Sequence, residues 1–152
     1  MPYSADDNRD RAINIAEDIV ARTFESEGFD ALLEDLTKEI EVRNYRVTRI
    51  YDIDNIFQQT EREIGYSIPF ERYKIVEFCN LGSCAQLISQ EMLAGVFMPL
   101  RFIVYQETGT DLASIAFLKP SAFARQFDSP PLAATAASLE GDMTDVLDEL
   151  AF

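Results

Sequence analysis

The chain has 152 residues, of which 47% are apolar and 26% are charged, a composition typical of one globular domain. Its formal net charge of −14 comes from the two ends: residues 1–41 carry 12 acidic and 4 basic side chains, and residues 128–152 carry 6 acidic and no basic ones. This charge argues against electrostatic binding to nucleic acid or anionic membranes, and no apolar run reaches the ~20 residues of a membrane span. The acidic ends predict solvated helix faces, with docking of a basic protein partner as the alternative.

The first part of the chain is predicted to be helical. Apolar residues recur at helical spacing over residues 7–26, which predicts an acidic N-terminal helical extension over residues 1–27. The polar, acidic N-terminus predicts no secretory signal. A second helix, from Phe29 to Ile40, opens a single α+β domain that we expect to span residues 28–152.

Four segments rich in β-branched and aromatic residues predict four strands: Tyr45–Tyr51, Arg72–Phe78, Leu100–Gln106 and Leu112–Leu118. The second and third strands are apolar on both faces and are therefore expected at the centre of the sheet. The last two are separated by a turn over residues 107–111 and predict an antiparallel hairpin.

Helices are predicted between the strands and at the C-terminus. The apolar spacing favours helices over residues 53–64 and 83–93, the second capped by Ser83 and ended by Gly95, and an acidic helix that closes the chain at Leu150. The order predicts an α+β fold with a mixed, mostly antiparallel sheet of about four strands covered by helices. A sheet face left bare favours a homodimer.

The most informative chemical group is the thiol of Cys79, which follows the second predicted strand and precedes a helix. It is either a low-pKa thiol near a helix N-terminus or a small buried residue that packs the sheet. A disulfide with Cys84 would close a very short loop, so two reduced thiols in a cytoplasm are predicted. The chain has no histidine, which excludes a Cys–His mechanism within one chain.

The remaining candidates each have a structural and a functional interpretation. Arg72 and Lys74 lie on one face of their strand and, with Arg46 nearby, predict a pocket for a phosphate, a sulfur oxyanion or a carboxylate. The alternative is that they pair with the acidic terminal helices. Asp52 is expected to cap a helix and Asn80 to hold the strand-to-helix turn. Gly95 and Pro99 shape the backbone before the third strand. No cofactor or metal site is predicted.

Several of these residues lie in segments that resemble a known family. The sequence YKIVEFCN (73–80), followed by AGVFMPLRFIVYQ (94–106) and LKPSAF (118–123), is similar to the bacterial and archaeal domain-of-unknown-function 302 family from about Phe29 to Leu150. The matching positions are Asp52, Tyr73, Lys74, Cys79, Asn80, Gly95, Pro99, Val104 and Tyr105. Two positions depart from the family pattern, since Leu81 stands where the family has proline and Leu100 where it often has a second cysteine. The resemblance implies a compact α+β fold that tends to dimerise, and no established activity.

Two classes of function therefore remain open. The first is a non-enzymatic cytoplasmic homodimer that binds a small ligand or acts as an accessory domain. Its cleft would lie near Cys79, Asn80, Ser83 and the Gly95–Pro99 segment. The second is a thiol-dependent sulfur-carrier or redox protein that uses Cys79.

Overall fold

The computed structural model describes residues 11–25, 28–55 and 68–151. In chain order the elements are α1 (Ile15–Asp18), β1 (Ile19–Glu25), α2 (Phe29–Val42), β2 (Arg46–Asp52), β3 (Phe70–Cys79), α3 (Leu81–Gln90), a 3-10 helix (Met92–Phe97), β4 (Leu100–Glu107), β5 (Leu112–Leu118), α4 (Pro120–Ala124) and α5 (Pro130–Leu150). The predicted α+β class is confirmed, as are the four predicted strands and the helix that ends at Leu150.

The strands of the described residues form one sheet of five, in the order β1-β5-β4-β3-β2. Each neighbouring pair is antiparallel, so the sheet has one strand more than predicted and no parallel pair among the described strands. The apolar strands β3 and β4 lie in the interior of the sheet, as predicted. Between β4 and β5 the chain turns over residues 108–111, which confirms the hairpin.

The additional strand is β1, and it corrects the prediction of a helix extending to residue 26. The register runs from Ile19 opposite Leu118 to Glu25 opposite Leu112. Val20, Arg22 and Phe24 alternate onto the helix-covered face of the sheet, where Phe24 is buried. As a strand, this segment pairs its backbone with the exposed edge of β5, which a helix would leave unpaired. The strand also buries the ring of Phe24 against the core. The boundary predicted at residue 27 falls between β1 and α2.

Two other predicted helices differ from the structure in extent. Only residues 53–55 of the helix predicted over 53–64 are described, and they are helical; the rest of that prediction lies outside the described residues. The helix predicted over 83–93 begins at Leu81, ends at Gln90 and continues as a 3-10 helix that contains Gly95. Gly95 therefore does not end a helix.

The core lies between one face of the sheet and the helices α2, α3 and α5. Helix α2 turns Leu36 and Ile40 inward, and α5 turns six residues inward, among them Leu139 and Leu147. From the sheet, Phe102 stacks on Phe78 at a centroid distance of 5.0 Å and meets Phe117 edge-on at 5.4 Å. This aromatic row crosses three strands and anchors the helices to one side of the sheet.

The other side of the sheet is called here the open sheet face. Its side chains come from alternate positions of the same strands and are half-buried or exposed, apart from the buried Ala116. On the three strands β2, β3 and β4 the face comprises Arg46, Arg49, Tyr51, Tyr73, Ile75, Glu77, Cys79, Arg101, Ile103 and Tyr105.

Candidate functional site

A surface groove lies where β3 ends and α3 begins. It has a volume of about 570 Å3 and is called here the Cys79 groove. Its walls come from the β2 end of the sheet and the first turn of α3, and its lining residues are Asn44, Tyr45, Arg46, Thr48, Cys79, Asn80, Leu81 and Gly82.

Asn80 organises this junction as the N-cap of α3. Its backbone is extended (φ −98°, ψ 117°), and its side-chain oxygen accepts a hydrogen bond from the backbone N–H of Ser83 at 3.1 Å. Its amide nitrogen donates to the carbonyl of Asn44 at 2.9 Å, which ties the helix start to the loop before β2. Asn80 thus holds the strand-to-helix turn, as predicted. The prediction that Ser83 is the cap is wrong, because Asn80 is the residue with non-helical backbone before the first turn.

The first turn of α3 presents the backbone N–H groups of Leu81 and Gly82 to the groove. The next two residues, Ser83 and Cys84, already donate their N–H groups to Asn80, the first to its side chain and the second to its carbonyl. Leu81 and Gly82 come before them, and neither N–H donates to another described residue. Both residues line the groove, so the positive end of the helix dipole faces it.

Cys79 and Cys84 form a disulfide, with their Cα atoms 6.5 Å apart. This corrects the prediction of two reduced thiols. The sequence interval suggested only a short loop, whereas the Asn80 cap turns the chain so that Cys84, in the first turn of α3, lies against the end of β3. Cys79 lines the groove and is half-buried, and Cys84 is buried.

Arginines gather on the open sheet face beside the groove. Arg46 is the register partner of Cys79, and Arg49 and Arg101 flank Glu77 on the two neighbouring strands. None of these three arginines forms a salt bridge with a carboxylate in the described part of the chain. The guanidinium of Arg49 lies over the ring of Tyr51, 3.7 Å from its centroid.

Arg72, Lys74 and Asp52 lie together at the opposite end of β3 and form an internal ion cluster. The Nζ of Lys74 is 2.6 Å from Asp52 and 2.9 Å from Asp54. Arg72 reaches Asp54 at 3.3 Å and Asp30 at 2.6 Å. The two cations predicted to form an anion pocket are therefore occupied by carboxylates of the same chain. Asp30 belongs to α2, Asp52 is the last residue of β2, and Asp54 lies in the helical segment that follows it.

Burial and pairing act in opposite directions on this cluster. Lys74 is only 6% exposed and Asp54 only 1%. Burial by itself lowers the pKa of Lys74, but hydrogen bonds to Asp52 and Asp54 outweigh it, so that pKa lies above its ordinary value. Burial likewise raises the pKa of Asp54, and hydrogen bonds from Lys74, Tyr73 and Asn55 outweigh it and lower that pKa. Both groups are therefore charged at neutral pH.

The residues nominated from the sequence are thus divided among separate places. Lys74 and Cys79 are about 17 Å apart along β3 at ~3.3 Å per residue. Pro99 lines a different, apolar pocket, and Gly95 lies in the 3-10 helix that forms one wall of it. Ser83 faces a polar groove between α3 and α5. Of the residues named from the sequence, Cys79, Asn80 and Arg46 line the Cys79 groove.

Sequence reasoning missed two residues that this geometry makes important. Cys84 is the partner of Cys79, and the interval of five residues across an Asn cap is the signal that could have shown it. Asp54 is the centre of the ion cluster, and its position two residues after Asp52, just past a predicted strand, is the signal that could have shown it. Within the described residues, no group of three or more His, Cys, Asp or Glu side chains is arranged to hold a metal ion.

A five-stranded antiparallel sheet with helices on one face and a groove at a strand-to-helix junction defines a two-layer α+β protein. The chain belongs to the family called Domain of unknown function DUF302, whose model matches residues 21–150. The match extends from β1 to the end of α5.

A solved structure has the same fold. It is a crystal structure of an uncharacterized conserved DUF302 protein from Bacillus stearothermophilus, 23% identical, with a TM-score of 0.77. The alignment covers 90% of this chain and 99% of that one. No curated protein matches the chain. Among the described helices, none has both the length and the apolar character needed to cross a bilayer.

Proposed function

We propose that the protein is a non-enzymatic binding or accessory protein of the cytoplasm that holds a small anion in the Cys79 groove and works as a homodimer. We infer the chemical class of the ligand from the hydrogen-bond donors in that groove. Arg46 supplies a guanidinium without a carboxylate partner among the described residues, and Leu81 and Gly82 supply two backbone N–H groups. A guanidinium and helix-start amides together suit a phosphate, a sulfur oxyanion or a carboxylate.

The same groove supports binding more than catalysis. Among the described residues that line it, none carries a carboxylate or an imidazole. It therefore presents hydrogen-bond donors and a fixed cation, and no side chain suited to general base catalysis near neutral pH.

The binding proposal is tested with inorganic phosphate, followed by amide NMR on the full chain. We expect phosphate to shift the amide resonances of Leu81 and Gly82, and Arg46→Gln to weaken binding about tenfold, a typical cost of removing one charge-assisted hydrogen bond. Arg43→Gln is the matched control, because Arg43 pairs with Glu39 and does not line the groove. Unchanged Leu81 and Gly82 amides at millimolar phosphate would contradict the proposal.

The homodimer proposal is supported by the open sheet face. Tyr73 and Tyr105 stack at a centroid distance of 5.7 Å, and Ile75 and Ile103 are register partners beside them. Glu77 and its flanking arginines make no ion pair with one another or with other described residues. A second copy related by a two-fold axis would bring Glu77 of each chain toward Arg49 of the other.

A second candidate function is thiol–disulfide exchange, which the Cys79–Cys84 bond favours. An external dithiol would attack the groove-lining sulfur of Cys79, and the Cys84 sulfur would leave as a thiolate beside the start of α3. The second thiol of the reductant would then release Cys79 and become oxidised itself. Reduction followed by alkylation at neutral pH and mass spectrometry tests this. We expect Cys79 to be modified much faster than Cys84, and equal slow modification of both would argue against exchange.

A basic protein partner for the acidic ends stays a prediction. Several of the carboxylates concerned already bind side chains of the same chain: Asp18 binds Arg125, Asp142 accepts from Tyr45, and Asp148 binds Arg22. The docking surface for such a partner would therefore consist of the other exposed acids.

A further inference from the structure

A second pocket lies on the other side of β4 from the Cys79 groove and is called here the Pro99 pocket. Its volume is about 220 Å3. Among the described residues that line it, Arg101 is charged and the others are apolar; they include Val96, Phe97, Pro99, Leu118 and Met143.

The walls of this pocket are held by packing that does not depend on a ligand. Phe97, in the 3-10 helix, stacks on Phe123 of α4 at a centroid distance of 5.0 Å and meets Phe127 edge-on at 6.3 Å. Phe123, Leu100 and Met143 are buried, each no more than 3% exposed. The inner part of the pocket is therefore already formed, so little ordering there has to accompany binding, whereas Val96 is 78% exposed and free to close over a ligand.

Among the described residues that line this pocket, Arg101 alone carries a charge. It is exposed, and its guanidinium makes no hydrogen bond or ion pair with any other residue that the structure describes. Its register partner Glu77 is the nearest acid by sheet position, yet the two form no salt bridge. One planar cation beside an apolar cavity matches a carboxylate attached to an apolar body.

The volume of the pocket limits the size of the apolar part of such a carboxylate. An apolar cavity of roughly 150 Å3 can hold a benzene ring, so about 220 Å3 accommodates a ring or a short acyl chain with room toward Arg101. A phosphate or sulfate would leave the apolar walls unfilled and would lose its hydration against them.

We propose that the Pro99 pocket binds small apolar carboxylates, aromatic or short-chain acyl anions, with the carboxylate on Arg101 and the apolar body against Val96, Leu118 and Met143. This site is separate from the Cys79 groove and goes beyond the function proposed for it.

Benzoate is the probe that tests this proposal on the full chain, with methyl NMR to locate binding and titration to measure affinity. We expect benzoate to shift the methyl resonances of Val96, Leu118 and Met143. Arg101→Gln should weaken benzoate binding at least fivefold and leave the weaker binding of benzyl alcohol unchanged, because that ligand has the ring without the charge.

Arg49→Gln is the matched control. Arg49 also flanks Glu77 on the open sheet face, but it does not line the pocket. Removing either arginine therefore removes one positive charge beside Glu77, and only Arg101→Gln removes a charge from the pocket. Benzoate should bind Arg49→Gln as it binds the parent chain. Benzoate shifts outside the pocket, equal affinities of benzoate and benzyl alcohol, or an unchanged affinity in Arg101→Gln would each overturn the proposal. Phosphate should leave the three methyl groups unshifted, which separates this site from the Cys79 groove.

Discussion

The role of Lys74 in the structure differs from the role that the sequence predicts. As one of several cations on a strand it suggested a ligand pocket, whereas its Nζ is buried between Asp52 and Asp54. A buried charge is tolerated only when its partners compensate the lost hydration. The cluster therefore stabilises the fold by joining the end of β2 to β3.

Lys74→Met removes the charge and keeps most of the apolar stem. We expect the free energy of unfolding to fall by about 3 kcal/mol, near the lower end for a broken buried pair, because Arg72 still neutralises Asp54. Urea denaturation measures this. Lys38→Met is the control: its pair with Glu34 is exposed on α2, and the loss there should be about 0.5 kcal/mol or less. Equal losses in both variants would contradict the compensating role of the cluster.

Asp18 makes stability depend on pH in a predictable direction. Hydrogen bonds from Arg125, and then from the backbone of Asn14, lower the pKa of this carboxyl from 3.8 to about 2. A lowered pKa in the folded state stabilises the protein above the unfolded pKa, and this contribution is lost as the pH falls from about 4 to about 2.

Asp18→Asn should therefore reduce stability at pH 5 and make stability less dependent on pH between 4 and 2. Chemical denaturation at pH 5 and pH 3 checks this, with Asp35→Asn on the exposed side of α2 as the control. If Asp18→Asn loses as much stability on acidification as the parent chain, the Asp18–Arg125 pair does not contribute in solution.

At the scale of elements, β1 is the strand that the sequence pattern did not reveal. Ala12, Ile15, Ile19 and Val20 recur at helical spacing, and Val20, Arg22 and Phe24 also alternate as in a strand. Local periodicity favours neither pattern over seven residues. The outcome depends on β5, which lies more than 85 residues away in the chain and offers an unpaired edge.

Phe24→Ala tests whether β1 is docked on the core. We expect the free energy of unfolding to fall by about 3 kcal/mol, because Phe24 is only 8% exposed and its removal leaves a cavity. Thr23→Ala is the control from the opposite face of the same strand, where the hydroxyl contacts Ser114, and it should cost less than about 1 kcal/mol. Similar small losses in both variants would show that β1 is not part of the folded sheet.

The strands β3, β4 and β5 were predictable because each contains enough β-branched and aromatic residues to stand out by itself. The junction between β3 and α3 was predictable in place but not in detail. Cys79 and Asn80 are recognisable as a strand end and a turn, whereas the Asn80 cap and the disulfide depend on how the first turn of α3 is oriented.

At the scale of the whole molecule, the helices α2, α3 and α5 pack on one side of the sheet that the described residues form. The open sheet face therefore retains a half-buried centre of Tyr73, Ile75, Ile103 and Tyr105. Exposed apolar and aromatic surface of this kind is typical of an interface. The homodimer proposed above assigns this surface to a second copy.

Ile103→Lys tests that assignment, because it places a charge in the centre of the face. We expect light scattering at micromolar concentration to give twice the chain mass of 17.2 kDa for the parent protein and the chain mass for this variant. Ile88→Lys is the control, since Ile88 is 40% exposed on α3, away from the face. A monomeric parent protein, or a variant that remains dimeric, would contradict the use of this face.

The chain by itself determined the α+β class, the four strongest strands, the hairpin and the closing helix, because these depend on residues near one another in sequence. Tertiary structure decided the pairing of β1, the neutralisation of Arg72 and Lys74, the Cys79–Cys84 bond and the separation of the candidate residues among different grooves and clusters. Each of these depends on which distant segment lies beside a given side chain. The pairing of a charged side chain and the oxidation state of a cysteine depend on those neighbouring side chains. The periodic pattern of residues along the chain does not show which distant side chains become neighbours.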